Sequence, residues 1–318
     1  MTNISVIPTN LKPNNLEANQ RLAATITRSA SKQTYYTICF LVDRGLMADA
    51  YRAYGYFRWV DDQLDQNGME KRERLIFVKR QKSLIDQCYR GEWPHHLSAE
   101  ESLLVELIRS ERGKGSGLQS YIRNMMAVMS FDAGRRGLLI SEVELNQYTH
   151  SLAVAVTEAM HYFIGHGCIA PQDQTRYLAV TGAHITHMLR DTLEDVEAGY
   201  FNIPREVVES RQMDPRDVHS EPYRNWIKSR VGLARACFKS GQGYLAQVEN
   251  PRCRMAGFAY AARFETVLSA IERDDYHLRP AYPECKSLIS AMWMGWSAIS
   301  QAFSPHRPDK LLHVQSAR

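Results

Sequence analysis

No proline occurs between Pro13 and Pro94, and none between Pro94 and Pro171. Proline removes a backbone donor and breaks a helix interior, so long proline-free windows leave room for long helices. Apolar residues recur at helical spacing along most of the chain, and no Val/Ile-rich alternation bounded by Asn-Gly or Asp-Gly turns is present. Helices are therefore expected over 16–30, 44–65, 70–90, 98–111, 117–133, 141–166, 172–199, 222–246 and 253–275. Gly113 to Gly117 read as an interhelix loop, and the proline-bearing, charged segment 200–222 as a crossing over the surface. The pattern predicts an all-α chain: a tail and first helix over 1–27, one large helix-bundle domain over 28–303, and a C-terminal tail over 304–318.

Composition narrows the function classes. With 318 residues and 44% hydrophobic content the chain can bury a large core, and a net charge of +4 falls short of a nucleic-acid binder while suiting an anionic small substrate. Six cysteines without a CxxC pair indicate neither a zinc site nor a disulfide framework, so a reducing, cytoplasmic setting is expected. The start, MTNISVIPTNLKPNN, is polar, and no 18-residue apolar run is present to span a membrane. Nothing in the sequence speaks to oligomeric state.

Two acidic clusters share one spacing. In RWVDDQLDQ, Asp61 and Asp65 are four residues apart; in LRDTLEDVEAGYFNIPRE, so are Asp191 and Asp195. On a helix each pair shares a face, about 6 Å apart. Two such faces opposed would form a cage of hard oxygen ligands suited to Mg²⁺, which keeps waters and takes substrate phosphate as its remaining ligands. Arg58 precedes the first pair and Arg190 the second, while Phe57 and Tyr54 lie one and two turns before Asp61. That run from aromatic to basic to acidic suits a ligand with an apolar tail and a diphosphate head, such as an isoprenyl diphosphate. Asp62 points about 100° away from its neighbours' face and reads as a bystander or supporting group.

These residues resemble the squalene/phytoene synthase family. SKQTYYTICFLVDRGLMADAYRAYGYFRWVDDQLD (31–65) is similar to its N-terminal block, LRDTLEDVEAGYFNIPRE to its second aspartate-rich block, and AARFETVLSAIERDDYHLRPAY (261–282) to its C-terminal helix; the likeness spans about 28–285. The resemblance implies an isoprenoid-synthase-type bundle with a central cavity. It also implies Mg²⁺-assisted ionisation of an allylic isoprenyl diphosphate, followed by capture of the cation by an electron-rich carbon. On that reading Asp61, Asp65, Asp191 and Asp195 hold the metal, and Arg58, Arg190, Ser31 and Lys32 fall where the family contacts diphosphate. Asp132, in MMAVMSFDAGRRG, resembles a middle-block aspartate and either lines the cavity or pairs with Arg135 or Arg136.

The chain departs from the family in the polar shell. His184 and His187 replace a glutamine and an asparagine, and share a helical stripe with Asp191 and Asp195, which would turn both imidazoles toward the site. His150 stands where a substrate-contacting tyrosine falls, AVAVT replaces a glycine-bearing run, Ala30 replaces a histidine of some members, and a site tyrosine appears as Phe264 or Glu265. Tyr54, Phe57, His150 and Phe264 are the expected cavity residues; His161 and His166 read as structural or surface groups. These changes lean toward transfer of the prenyl group to an aromatic small molecule, with a neutral histidine taking the ring proton. Head-to-head condensation with a second prenyl diphosphate is the alternative, and terpene cyclisation ranks third.

Overall fold

The structure, a computed structural model, describes residues 13–66, 68–111 and 116–283. Every regular element among them is helical: α1 (Pro13–Ala30), α2 (Lys32–Leu41), α3 (Met47–Leu64), α4 (Lys71–Tyr89), α5 (Glu101–Ser110), α6 (Gly117–Arg135), α7 (Glu142–Phe163), α8 (Leu178–Ala198), α9 (Arg205–Arg211), α10 (Glu221–Leu245) and α11 (Pro251–Arg273). Local chemistry sets several starts. Ser31, Ser116, Ser220 and Asn250 cap α2, α6, α10 and α11 through their side-chain oxygens, and Ser141 with Glu144 forms a reciprocal capping box at α7.

All nine expected helices form. Two more appear that periodicity did not flag. In α2 the residues are mostly aromatic or β-branched (TYYTICF), poor helix formers by themselves, and the helix is made by the Ser31 cap and by packing of Ile38. In α9 only seven residues are helical, inside the segment expected to be a crossing. Helix α8 starts at Leu178 rather than near 172, because Asp173 folds the preceding residues into a turn by accepting from Thr175 N at 2.7 Å. At the other end of the chain α1 runs unbroken past the boundary expected at 27/28, with Ala23 and Thr27 fully buried. The expected tail over 304–318 lies outside the described residues.

Two hydrophobic clusters form the core among the described residues. One gathers α1 to α7 with parts of α8, α10 and α11; the other gathers α8 to α11 with the chain around Phe201 and Ile203. Tyr148 on α7 borders both. The central helix α3 buries Tyr51, Tyr56, Phe57 and Val60 before its last turns reach the seam between the clusters. Each such side chain contributes about 1.5–3 kcal/mol on burial. Helices α8 and α10 approach so closely that a Cβ on Gly241 would sit 2.3 Å from Ala179 N. No helix among the described residues is long and apolar enough to cross a membrane.

Candidate functional site

The acidic ends of α3 and α8 share a neighbour, Asp132 on α6, whose charge reaches Asp61, Asp65 and Asp195. At the end of α3, Arg58 Nη1 donates to Asp61 Oδ2 at 3.3 Å, and its Nη2 pairs closely with Asp62. Asp65 has no hydrogen-bond donor from a described side chain. Burial, then the neighbouring charge of Asp65, pushes Asp61 up to about 6; burial also raises Asp65. Tyr54, two turns back, lies near Arg58, Asp61 and the hydroxyls of Thr34 and Ser31, which bond one another at 2.9 Å. Ser31 thereby reaches the same corner, while Lys32 is exposed on the first turn of α2. Phe57 is 3% exposed and edge-on to Tyr121 at 5.3 Å, so it packs α3 against α6 as core.

Asp132 on α6 is the centre of the arrangement. It accepts from Arg135 Nε at 2.6 Å and from the Tyr148 hydroxyl at 3.0 Å. Its charge is felt at Asp61, Asp65 and Asp195, so both readings of this residue hold together: it pairs with Arg135 and it faces the site. Arg135 is itself buried, with Tyr148 and Tyr200 under its guanidinium at 4.9 and 5.0 Å. Its Nη1 donates to Asn202 Oδ1 at 3.0 Å, and Asn202 Nδ2 donates to Asp195 Oδ2 at 2.7 Å. A chain of polar contacts thus runs from Asp132 to the second acidic pair.

Asn202 gets there because α8 ends in a left-handed residue, Gly199 at φ 86°, after which Tyr200 N bonds Asp195 O at 2.7 Å. On α8 itself, Arg190 grips Asp191 with two donors at 2.6 and 2.7 Å, and His187 donates from Nε2 to the same carboxylate at 2.9 Å. Burial would raise Asp191, but those bonds prevail and hold its pKa far below the carboxylate range. Asp195 goes the other way: burial, then the charge of Asp191, pushes it up to about 7.

The two α8 histidines part company. His187 is half exposed beside Asp191, with Phe264 of α11 at 6.2 Å between ring centres. His184 is buried, tilted on the Tyr148 ring at 5.1 Å; its Nδ1 has no partner, and burial drives its pKa down to about 3. His150 is exposed and lies edge-on to Tyr177 at 5.8 Å. It is two positions along α7 from Tyr148, about 200° around the helix, and is not among the groups gathered at Asp132. Phe264, not Glu265, faces α8; Glu265 bonds Gln242 on α10. His161 is structural, bonded to Tyr244 at 2.7 Å.

Sequence reasoning named Arg135 only as a possible partner of Asp132 and did not single out Tyr148, Tyr200 or Asn202. The only signal was position: Tyr200 and Asn202 fall in the quoted acidic block, and Arg135 lies one helical turn after Asp132. Among the described residues no three acidic, histidine or cysteine side chains converge closely enough to hold a metal by themselves. The donor set nevertheless suits a hard cation. Burial raises the carboxyl groups of Asp61, Asp65, Asp132 and Asp195, and neighbouring carboxylates add to it at all but Asp132, a condition a divalent cation relieves.

Over residues 27–286 the chain matches the family profile described as squalene/phytoene synthase. The fold superposes on squalene synthase HpnC from Alicyclobacillus acidocaldarius with TM-score 0.65 and 19% identity, covering 84% of this chain and 98% of that one. A dehydrosqualene synthase in complex with ligand aligns at TM-score 0.69 and 13% identity over 90% of this chain and 97% of that one. A ligand complex of TcSQS aligns at 0.62 and 15% over 94% of each. No curated protein matches the sequence significantly.

Proposed function

The chain belongs to the squalene/phytoene synthase family of prenyltransferases, and we propose that it joins two allylic prenyl diphosphates head to head. One observation carries the reading: two carboxylate–arginine corners, Asp61/Asp65 with Arg58 and Asp191/Asp195 with Arg190, tied through Asp132, Arg135 and Asn202. Each corner offers an arginine to a diphosphate head. Asp61, Asp65 and Asp195 would hold Mg²⁺, with Asp191 joining once its arginine is drawn to phosphate. Bound there, the cation supplies charge neutralisation for the departing diphosphate. Arg58 and Arg190 orient the heads, and Ser31, Tyr54 and Lys32 offer further donors to a phosphate oxygen at the α3 corner. The aromatic rings at the seam, Tyr54, Tyr148 and Phe264, face the apolar chain.

Transfer to an aromatic acceptor becomes the second reading. The base it needed is weaker than the sequence implied: His184 is enclosed against Tyr148, and with a pKa of about 3 it takes a proton poorly at neutral pH. His187 is spent on Asp191.

Incubation with Mg²⁺ and farnesyl or geranylgeranyl diphosphate, with no other acceptor, tests the choice. The expected result is diphosphate release with a C30 or C40 product. Release only of a prenyl alcohol, converted to an aryl product when an aromatic additive is present, would overturn the head-to-head reading.

A further inference from the structure

Exposed large apolar side chains are scattered over the described residues, and only two of them are sequence neighbours: Leu75, 44% exposed, and Ile76, 60% exposed, both on α4. Single ones are ordinary; this pair has charged company. At about 100° per residue, Lys71, Arg72, Leu75, Ile76, Lys79 and Lys82 fall within one arc of about 140° on the outer side of the helix. All six are exposed, and the first five line one shallow hollow. No acid stands on the arc over these three turns. Glu73 lies round the side, accepting from Glu70 N at 2.9 Å, and Arg80 is held by Glu101. None of the four cations on the arc makes an ion pair or hydrogen bond with a described residue.

The opposite side of α4 is spent on the fold. Arg74, Val78, Gln81, Leu84 and Ile85 are buried, and Phe77 is edge-on to Trp59 of α3 at 5.5 Å. Arg74 Nε donates to Ala133 O at 3.3 Å, beside Asp132. One helix therefore supports the carboxylate site on its inner side and shows two bare aliphatics among cations on its outer side. Area and charge decide which partner fits. Two half-covered aliphatics offer far less than the roughly 800 Å² a side of a specific protein interface. A nucleic acid would use the cations but not the aliphatics, and no aromatic side chain stands on the arc to stack a base. An anionic lipid surface uses both: headgroup phosphates attract the cations, and the aliphatics enter the acyl boundary.

We propose that the outer face of α4 docks the protein on an anionic lipid bilayer, with Leu75 and Ile76 entering among the headgroups and Lys71, Arg72, Lys79 and Lys82 facing their phosphates. Docking of this kind is peripheral and salt-sensitive, because each cation acts through a screened field. It sets the acidic corners near a surface where apolar-tailed diphosphates collect; only that consequence rests on the reaction proposed above. The docking itself needs neither Mg²⁺ nor substrate.

Sedimentation of the full chain with lipid vesicles, without Mg²⁺ or substrate, tests the surface. Partition onto vesicles containing phosphatidylglycerol should exceed that onto pure phosphatidylcholine by about tenfold or more at low salt, and should collapse in about 1 M sodium chloride. Lys71→Gln with Lys79→Gln should weaken the partition about 25-fold, roughly fivefold for each cation. The same loss of two charges on α10, Lys228→Gln with Lys239→Gln, should leave it within about threefold of wild type. Leu75→Ser with Ile76→Ser should weaken it about tenfold. Should the serine pair not fold, Ile76→Gln keeps the bulk and should weaken it about threefold. Partition that ignores the anionic lipid overturns the proposal, as does one that falls as far in the α10 pair as in the α4 pair. So does a wild type that shows twice its chain mass by light scattering, becomes single in Leu75→Ser with Ile76→Ser and binds no vesicles, which would give the face to a second copy.

Discussion

The two acidic pairs have the same spacing and the same kind of flanking arginine, yet their electrostatics differ. At the α3 end Arg58 is shared: it reaches Asp61 at 3.3 Å while its other nitrogen is on Asp62, and Asp65 is left out. At the α8 end Arg190 and His187 are both on Asp191, and Asp195 is wired to the core through Asn202. One carboxylate of the four is therefore firmly ionised, and the others are pushed toward protonation. Equal spacing fixes which groups share a face; it does not fix how much charge that face carries. Neighbours from other helices decide that.

The largest test of this asymmetry is a pair of variants. Asp61→Asn and Asp191→Asn should each lower the rate of Mg²⁺-dependent diphosphate release about 10³-fold, the cost of several kcal/mol of lost metal-assisted stabilisation. They should differ without metal. Asp191→Asn removes the carboxylate that Arg190 grips and should tighten binding of inorganic diphosphate about tenfold by calorimetry, whereas Asp61→Asn leaves Arg58 on Asp62 and should change it little. Equal behaviour of the two would break the comparison. Next in size, Asn202→Ala removes the link between Arg135 and Asp195 without touching any charge. It should weaken Mg²⁺ dependence about 10- to 100-fold, read as the metal concentration at half-maximal rate, with helical circular dichroism unchanged.

The smallest effect is on stability against pH. Asp61 and Asp195 have folded-state values of about 6 and about 7, above the ordinary 3.8, so the folded protein binds more protons than the unfolded one in that window. Their contribution is complete below 3.8 and is lost as pH rises through 6 to 7. Asp191 has the opposite sign: its stabilisation is present above 3.8 and is lost on acidification. The metal-free melting temperature should therefore fall by a few degrees between about pH 5 and 8, and Mg²⁺ should restore more of it at the upper end. Asp195→Asn should flatten that neutral slope while Asp191→Asn should not; the reverse pattern would mean the charge assignment is inverted.

Much of this was legible before folding. Proline spacing and apolar periodicity marked nine of the eleven helices among the described residues, and the i, i+4 rule put Asp61 with Asp65 and Asp191 with Asp195. What was not legible depends on contacts between distant residues. Arg135 meets Asn202 across 67 positions and Tyr148 meets Asp132 across 16, and no local pattern marks either. His184 shows the limit of stripe reasoning. It shares a face with Asp195, but three helical turns separate them, about 16 Å along the axis, so Asp195 is half-buried beside Asn202 while His184 is buried against Tyr148. His150 is exposed and edge-on to Tyr177, about 200° around α7 from Tyr148, a rotation that a family position alone does not reveal.

The pairing of Arg190 with Asp191 has a thermodynamic consequence. As the protein stands, base and acid satisfy one another, so an anion arriving alone must strand a carboxylate and a cation arriving alone must strand a guanidinium. When both arrive, the partners simply trade places and no buried charge is orphaned. Metal and diphosphate should then bind with positive cooperativity, each tightening the other by the same factor, and a cell poor in either would leave the chemistry switched off.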